Sequence, residues 1–151
     1  MSAGATADTG AEPATLYTAV VAVTGGRTGR AVSASGSLDL RLSRPAERGT
    51  GTGTDPEELF AAGYAACFGS ALEVAARRRS ATLGPASTTG AVSLRATADQ
   101  QYSVAVRLTV EAPECDQALL EELVALADTM CPYSKATRGN IRVDKTVVGR
   151  A

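Results

Sequence analysis

The stretch "DPEELFAAGYAACFGSAL", residues 55–72, contains the most apolar run of the chain and a single thiol, Cys67. From Leu59 to Leu72 only Ser70 is clearly polar. A helix that is apolar all round is buried on all sides. The stretch therefore predicts a central core helix that carries a cysteine in its middle.

The start of this helix is marked by its first residues. Asp55 or Thr54 can cap the free amide groups, and Pro56 suits the first helical turn. The acidic pair Glu57 and Glu58 complements the positive end of the helix dipole. The helix is expected to become amphipathic after Leu72 and to end near "ARRR".

Segments with a period of two, rich in β-branched residues, surround this helix and predict strands. A second helix is predicted over 116–130, where apolar residues recur at helical spacing until Pro132 stops it. The order β-β-β-α-β-β-α-β groups strands in hairpins, so an α+β fold with antiparallel sheets is expected. The predicted strands are 15–23, 30–35, 38–42, 89–97, 102–112 and 140–148.

The chain of 151 residues has the length of one domain. We expect residues 1–14, which are small and polar, to form a disordered tail, and residues 15–151 to form the single domain. A Gly/Thr-rich connection over 43–54 is expected to be an exposed, mobile loop. Gly36 and Ser37 suit a two-residue hairpin.

Composition excludes several classes of protein. A net charge of −1 gives no electrostatic reason for a nucleic-acid or membrane partner. No signal peptide is recognisable, and the charges of Glu57, Glu58 and Glu73 interrupt every run long enough to span a bilayer. We therefore expect a cytoplasmic protein. The chain has no histidine, so the commonest general base and metal ligand is missing and no metal site is expected.

The three cysteines, Cys67, Cys115 and Cys131, leave two interpretations open. They do not form an even disulfide framework, and free cysteines are often small buried residues with no chemistry. Cys131, however, lies in "CPYSKATRGN", where Pro132 ends a helix and a polar, turn-forming segment begins. Without histidine, a thiol beside an arginine is the strongest nucleophile available, because the guanidinium favours the thiolate.

The fully apolar central helix also predicts an assembly. One layer of sheet covers one side of such a helix, and the other side needs a partner. A second subunit is expected to cover it.

Three blocks, "GGRTGRAV", "DPEELFAAGYAACF" and "CPYSKATRGNIRV", resemble those of the organic hydroperoxide resistance (Ohr) proteins of the OsmC-like superfamily. The resemblance runs from about Tyr17 to about Val148. It implies an intertwined homodimer with the OsmC/Ohr-like fold. It further implies a cytoplasmic thiol peroxidase that reduces organic hydroperoxides and has no bound cofactor. Dihydrolipoamide or a lipoylated protein would be its electron donor.

By the same resemblance, Cys67 is the peroxidatic cysteine and Cys131 the resolving one. Arg27 is the activating arginine, and Glu57 is the carboxylate that holds it. From spacing alone, Arg27 would be an ordinary turn residue and Glu57 an ordinary helix-start acid. Apolar side chains around the thiol would suit an alkyl or acyl chain better than hydrogen peroxide. The expected substrate-binding residues are Phe60, Tyr64, Phe68 and Met130.

One distance raises a difficulty for this assignment. Glu57 and Cys67 are ten residues apart, which is roughly 15 Å of rise on one straight helix. Either Glu57 lies in a bent segment before the helix, or the Arg27–Glu57 pair meets Cys67 across a dimer interface. We favour the second explanation.

The chain departs from the family pattern at four charged positions. Asp55 and Glu58 stand where Asn and Gln are usual, Asp128 where His is frequent, and Lys135 where Asn is frequent. Two other functions stay open: an OsmC-type peroxidase with a different reductant, and a redox sensor or binder of hydrophobic ligands that does not turn over.

Overall fold

The computed structural model describes residues 12–45 and 53–151. Over these residues the fold is α+β, as predicted, with two three-stranded sheets and three α-helices. One sheet comes from the first part of the chain, and the helices pack with the other. The elements in chain order are β1 (Val21–Thr24), β2 (Arg30–Ser33), β3 (Asp39–Arg41), α1 (Pro56–Arg78), β4 (Ser87–Ala96), β5 (Tyr102–Asp116), α2 (Gln117–Met130), α3 (Pro132–Thr137) and β6 (Val143–Arg150).

The start of α1 matches the sequence prediction. Asp55 is the N-cap, and its carboxylate accepts a hydrogen bond from the backbone N–H of Glu58 at 2.7 Å. Pro56 is the first helical residue, and Glu57 follows it inside the first turn. Glu57 therefore belongs to the helix proper. A bent segment ahead of the helix, one of the two explanations offered for its distance from Cys67, is wrong.

One face of α1 forms the centre of the core, where it packs against β4, α2 and α3. On the opposite side Ala62, Ala66 and Ser70 are exposed. The sequence predicted a helix that is buried on all sides. Within a single chain only one face of α1 is buried. The buried residues of α1 are Tyr64, Phe68, Ala71, Leu72, Ala75 and Ala76.

Among the described residues one helix, α1, is long enough and apolar enough to cross a membrane, judged by length and composition alone. The expectation that charges interrupt every such run is wrong, because the 18 residues from Leu59 to Ala76 contain one charge, Glu73. A core helix passes the same test. Packing of one face of α1 on β4 and α2 is the arrangement of a core helix.

The second sheet has the order β4–β5–β6. The long strands β4 and β5 pair antiparallel, from Ser87 opposite Glu111 to Ala96 opposite Tyr102. The third strand, β6, runs parallel to β5. The sheet is therefore mixed, and the expectation of purely antiparallel sheets is corrected here. Helices α2 and α3 form the crossover that returns the chain to the same end of the sheet, and only a crossover connects parallel neighbours.

A third helix was not predicted from the sequence. Helix α2 ends at Met130, as expected, but α3 begins directly after Cys131. Pro132 is the first residue of α3, a position where its missing N–H has no helical partner in any case. The expected turn-forming segment is therefore a corner between two helices, and Cys131 is the corner residue.

The first sheet differs from its prediction in detail. β1 begins at Val21, and the described residues before it form no strand. The connection between β2 and β3 spans residues 34–38, so the two-residue hairpin is wrong, and the N–H of Ser33 bonds to the carbonyl of Leu38 at 2.8 Å. Residues 1–11 of the predicted tail and 46–52 of the predicted loop lie outside the described residues.

Close packing of β4 on α1 generates a first testable prediction. A Cβ atom added to Gly90 would lie 2.7 Å from the carbonyl oxygen of Ala61, which is backbone of α1. This clash could be relieved only if α1 and β4 moved apart. We expect Gly90→Ala to lower the free energy of unfolding by about 1 to 3 kcal/mol, as overpacked cores do, measured by urea denaturation.

Gly69→Ala is the matched control. A Cβ atom there meets the hydroxyl of Thr88 at 3.6 Å, an ordinary contact. Alanine is also the better helix former, so the free energy of unfolding should be unchanged or higher. Equal stability of Gly90→Ala and the wild type would contradict the close approach of strand and helix.

Candidate active site

The structure brings two of the three thiols together. The Sγ atoms of Cys67 and Cys131 lie 3.6 Å apart, although 64 residues separate them in the sequence. Cys67 is half-buried on α1, whereas Cys131 is fully buried at the corner between α2 and α3. The Cys67 thiol is thus partly accessible to solvent, and the Cys131 thiol is buried next to it.

The corner fixes Cys131 through its backbone. Its N–H donates to the carbonyl of Ala127 at 2.8 Å, which continues the hydrogen-bond pattern of α2. Its carbonyl accepts from the N–H of Lys135 at 3.0 Å, which starts α3. Cys131 is therefore both the C-cap of α2 and the N-cap of α3.

The electrostatic environment within one chain does not activate Cys67. Burial raises the pKa of the Cys67 thiol, and the neighbouring Cys131 raises it further. A hydrogen bond from the backbone of Tyr133 acts in the opposite direction, but the pKa stays above its ordinary value. Because the thiolate is the nucleophile, the single chain leaves Cys67 mostly in its unreactive form at neutral pH.

Cys67 opens into a cleft of about 630 Å³ along one side of α1. Its lining is mainly apolar and includes Met130, one of the four residues predicted to contact substrate. Two further lining residues, Tyr17 and Arg78, were not singled out from the sequence. Arg78 follows Cys67 by eleven residues, or three helical turns on the same face, and this spacing could have identified it. The other residues of the apolar part are Gly63, Ala66, Ala71, Val74, Pro132 and Tyr133.

The other three predicted substrate residues occupy the core beside the cleft. Tyr64 and Phe68 have no exposed surface. Phe60 stacks on Tyr133 with ring centroids 6.1 Å apart, and Tyr64 meets the same ring edge-on at 5.6 Å. Gly63 leaves room for that ring, since a Cβ atom there would lie 3.0 Å from the Tyr133 hydroxyl. Their contact with substrate stays a prediction.

Arg27 and Glu57 form the ion pair that the resemblance implies. The two terminal guanidinium nitrogens of Arg27 donate to the two carboxylate oxygens of Glu57, at 2.8 and 2.7 Å. These hydrogen bonds raise the pKa of Arg27 above its ordinary value. The side chain of Glu57 is 14% exposed and that of Arg27 is 41% exposed. The carboxylate is thus shielded, and the guanidinium keeps an open side.

The ion pair and the thiol pair do not share a cleft in one chain. Arg27 and Glu57 line a separate cavity of about 430 Å³, with neither cysteine in its lining. Because Glu57 and Cys67 lie on the same straight helix, ten residues hold them roughly 15 Å apart along its axis. Motion within one subunit that keeps α1 intact cannot bring them together.

Cys115 takes no part in this arrangement. It is buried in the core, and burial raises its pKa. Among the described residues no group of three His, Cys, Asp or Glu side chains could hold a metal ion. The expectation of a metal-free site stays a prediction.

Comparison with known proteins shows the family of this chain. The family model described as OsmC-like protein matches residues 49–145. The organic hydroperoxide resistance protein of Xanthomonas axonopodis pv. citri is 47% identical over 135 residues, which cover 87% of this chain and 94% of that protein. The chain belongs to the organic hydroperoxide resistance (Ohr) family of OsmC-like proteins.

Other relatives of this Ohr chain extend the match to a solved structure. The organic hydroperoxide resistance protein OhrB of Bacillus subtilis is 45% identical over 130 residues, 85% of this chain and 95% of that protein. The crystal structure of OhrB superposes with a TM-score of 0.83 and covers 88% of this chain and 99% of that chain. The predicted family and the Ohr-like fold are both confirmed.

Proximity of the two sulfur atoms generates a second prediction. Mild oxidation of the Ohr chain should join Cys67 to Cys131, because the Sγ atoms need to approach by about 1.5 Å to reach the disulfide length of about 2.05 Å. Peptide mapping by mass spectrometry checks the pairing. Cys115→Ser should oxidise like the wild type, whereas a bridge that includes Cys115 would contradict the described geometry.

Proposed function

We propose that this Ohr-family chain is a thiol peroxidase that reduces organic hydroperoxides to alcohols. The observation that carries the proposal is the 3.6 Å separation between a half-exposed thiol in a mainly apolar cleft and a fully buried second thiol. The cleft suits an alkyl or acyl chain. Relatives that share most of the chain are named organic hydroperoxide resistance proteins, which supports the same substrate class.

The reaction needs both cysteines. The Cys67 thiolate attacks the terminal oxygen of the hydroperoxide, the O–O bond breaks, and the leaving alkoxide takes a proton to become the alcohol. Cys67 is then a sulfenic acid. The Cys131 thiol attacks its sulfur, a disulfide forms, and water leaves. Two electrons have passed from the pair of thiols to the peroxide.

A cation is needed to make Cys67 a thiolate, and we propose that Arg27 of a second subunit supplies it. Support comes from α1, whose exposed face of small residues is unusually apolar for a solvated surface. Further support comes from the open side of the Arg27 guanidinium. In addition, its partner Glu57 is separated from Cys67 of the same chain by ten residues of α1. Glu57 would hold Arg27 in place with its two hydrogen bonds.

A dithiol reductant closes the cycle, and we propose a dihydrolipoyl group, free or attached to a protein. Its two thiols reduce the Cys67–Cys131 disulfide by exchange and become a cyclic disulfide themselves. The Cys67 side is half-exposed, so an attacking thiol can reach it. We place the enzyme in the bacterial cytoplasm, where a reducing environment keeps the resting thiols free.

Steady-state consumption of cumene hydroperoxide and of a fatty-acid hydroperoxide, beside hydrogen peroxide, tests the proposal. Dihydrolipoamide is the only reductant. We expect sustained turnover of the organic peroxides and much slower turnover of hydrogen peroxide. Turnover only with another reductant would favour an OsmC-type peroxidase. A single stoichiometric oxidation without turnover would favour a redox sensor and overturn the proposal.

Cysteine variants test the division of roles in the same assay. Cys67→Ser should abolish peroxide consumption, because no nucleophile remains in the cleft. Cys131→Ser should consume one equivalent and stall as the sulfenic acid, which a dimedone adduct detects. Cys115→Ser is the matched control and should retain full activity. Sustained turnover by Cys67→Ser would sink the mechanism.

A mixed oligomer tests whether the site is shared between subunits. Arg27→Ala and Cys67→Ser are each expected to be inactive alone. A heterodimer of the two, isolated with two different affinity tags, unites the intact Arg27 of one subunit with the intact Cys67 of the other. We expect it to recover activity at one of its two sites. An inactive heterodimer, or a fully active monomer, would contradict the shared site.

A further inference from the structure

Asp128, in the last turn of α2, is the hub of a polar network beside Cys131. Its Oδ1 atom lies 3.0 Å from the Nζ atom of Lys145 on β6. Arg138, the residue that caps the end of α3, donates from one nitrogen to both the backbone carbonyl of Asp128 at 2.8 Å and its Oδ2 atom at 3.2 Å. One carboxylate thus ties together α2, α3 and β6.

The network continues inward from the carboxylate to α1. Burial raises the pKa of Asp128, but hydrogen bonds from Lys145 and Ser134, the charge of Lys145 and a hydrogen bond from Arg138 together hold it below its ordinary value. The Ser134 hydroxyl is thus close enough to the carboxylate of Asp128 to favour its ionised form. The Ser134 Oγ atom also lies 3.0 Å from the hydroxyl oxygen of the fully buried Tyr64, within hydrogen-bond distance.

A second contact strengthens the link between α1 and α3. The Tyr64 hydroxyl also lies 3.0 Å from the Oγ1 atom of Thr137. Ser134 and Thr137 are both buried on α3, and Tyr64 is three residues before Cys67 on α1. Unsatisfied buried hydroxyls are costly, so these contacts hold α3 in one position against α1.

The two cysteines lie inside the region that the network encloses. Cys131 is between Asp128 and Arg138, so the Arg138 bonds close the segment 128–138 with the thiol within it. Tyr64 fixes the same segment to the turn of α1 that leads to Cys67. These contacts involve neither sulfur atom, and they restrain the segment that carries Cys131.

We infer that Asp128 is a positioning residue for the resolving cysteine. Through Arg138 and Ser134 it holds the α2–α3 corner, and so keeps the Cys131 thiol within reach of Cys67 after the peroxide has reacted. The inference rests on the proposed peroxidase cycle and adds the residue that governs its second step. Asp128 contacts neither substrate nor sulfur and acts through the corner alone.

Position matters because the sulfenic acid has two fates. With the Cys131 thiol it forms the disulfide and water. With a second hydroperoxide it gains an oxygen, becomes a sulfinic acid and releases another alcohol. Thiols do not reduce the sulfinic acid back to the thiol. An attacking group held in place reacts far faster than a mobile one, and a misplacement of 1 Å can cost about 10²-fold. A loosened corner therefore shifts the outcome toward the sulfinic acid.

The test separates the two steps in Asp128→Asn. Stopped-flow measurements give the rate of sulfenic acid formation and the rate of disulfide formation, and mass spectrometry gives the sulfinic acid fraction after excess cumene hydroperoxide. We expect an unchanged first rate, a disulfide rate lowered at least severalfold toward the 10²-fold scale, and more sulfinic acid. Lys145→Gln removes the partner cation and should act in the same direction, which covers the case of an Asp128 variant that does not fold.

Asp144→Asn is the matched control. Asp144 is the neighbour of Lys145 on β6 and pairs with Arg142, the residue just before this strand. Its loss should change neither rate. Tyr64→Phe keeps the ring and removes the hydroxyl, and its effect on the disulfide rate should be less than additive with that of Asp128→Asn, as expected for members of one network.

Two results would overturn the inference while leaving the peroxidase intact. One is an Asp128→Asn variant with wild-type disulfide rate and wild-type sulfinic acid fraction. The other is an equal loss in both rates, which indicates a general structural role. A wild-type protein that forms no sulfenic acid at Cys67 would overturn the proposed function and this inference together.

Discussion

Packing of one face of α1 against the second sheet and α2 is the constraint on which the rest of the structure depends. Phe68 and Leu72 on this face are fully buried with Leu108 of β5 and Leu123 of α2. Each such side chain contributes about 1.5 to 3 kcal/mol by leaving water. Once that contact forms, the end of α2 must arrive beside the middle of α1. The thiol pair is therefore a by-product of core packing, because helix positions and not a flexible loop set the distance.

Local sequence signals predicted the parts of the fold that local physics decides. The cap at Asp55, the proline that follows it and the apolar period of α2 each act within a few residues. Two of the features that were wrong depend on distant partners. Pro132 can end one helix or begin another, and the choice rests on where α3 packs. The parallel direction of β6 follows from the crossover, which no residue of β6 encodes.

The candidate site divides in the same way. Its two pairs of residues, the thiols Cys67 and Cys131 and the ions Arg27 and Glu57, were named through resemblance, since each partner lies at least 30 residues from the other. Spacing alone made Glu57 an ordinary helix-start acid. The network around Asp128 could not be predicted from the sequence. Polar residues such as Asp128 and Ser134 on a helix usually indicate a face that is exposed to solvent. In the folded chain the carboxylate of Asp128 contacts Arg138 and Lys145, and the hydroxyl of Ser134 contacts Tyr64.

The attachment of the first sheet to the helical body has a consequence for the conditions under which the protein works. Arg27 lies in the turn between β1 and β2, and its ion pair with Glu57 is one of the contacts that join this sheet to α1. The guanidinium side is open to water, and dissolved salt weakens an ion pair that is open to water. The orientation of the sheet relative to α1 is thereby tied to the ionic strength of the medium, through a contact remote from both sulfur atoms.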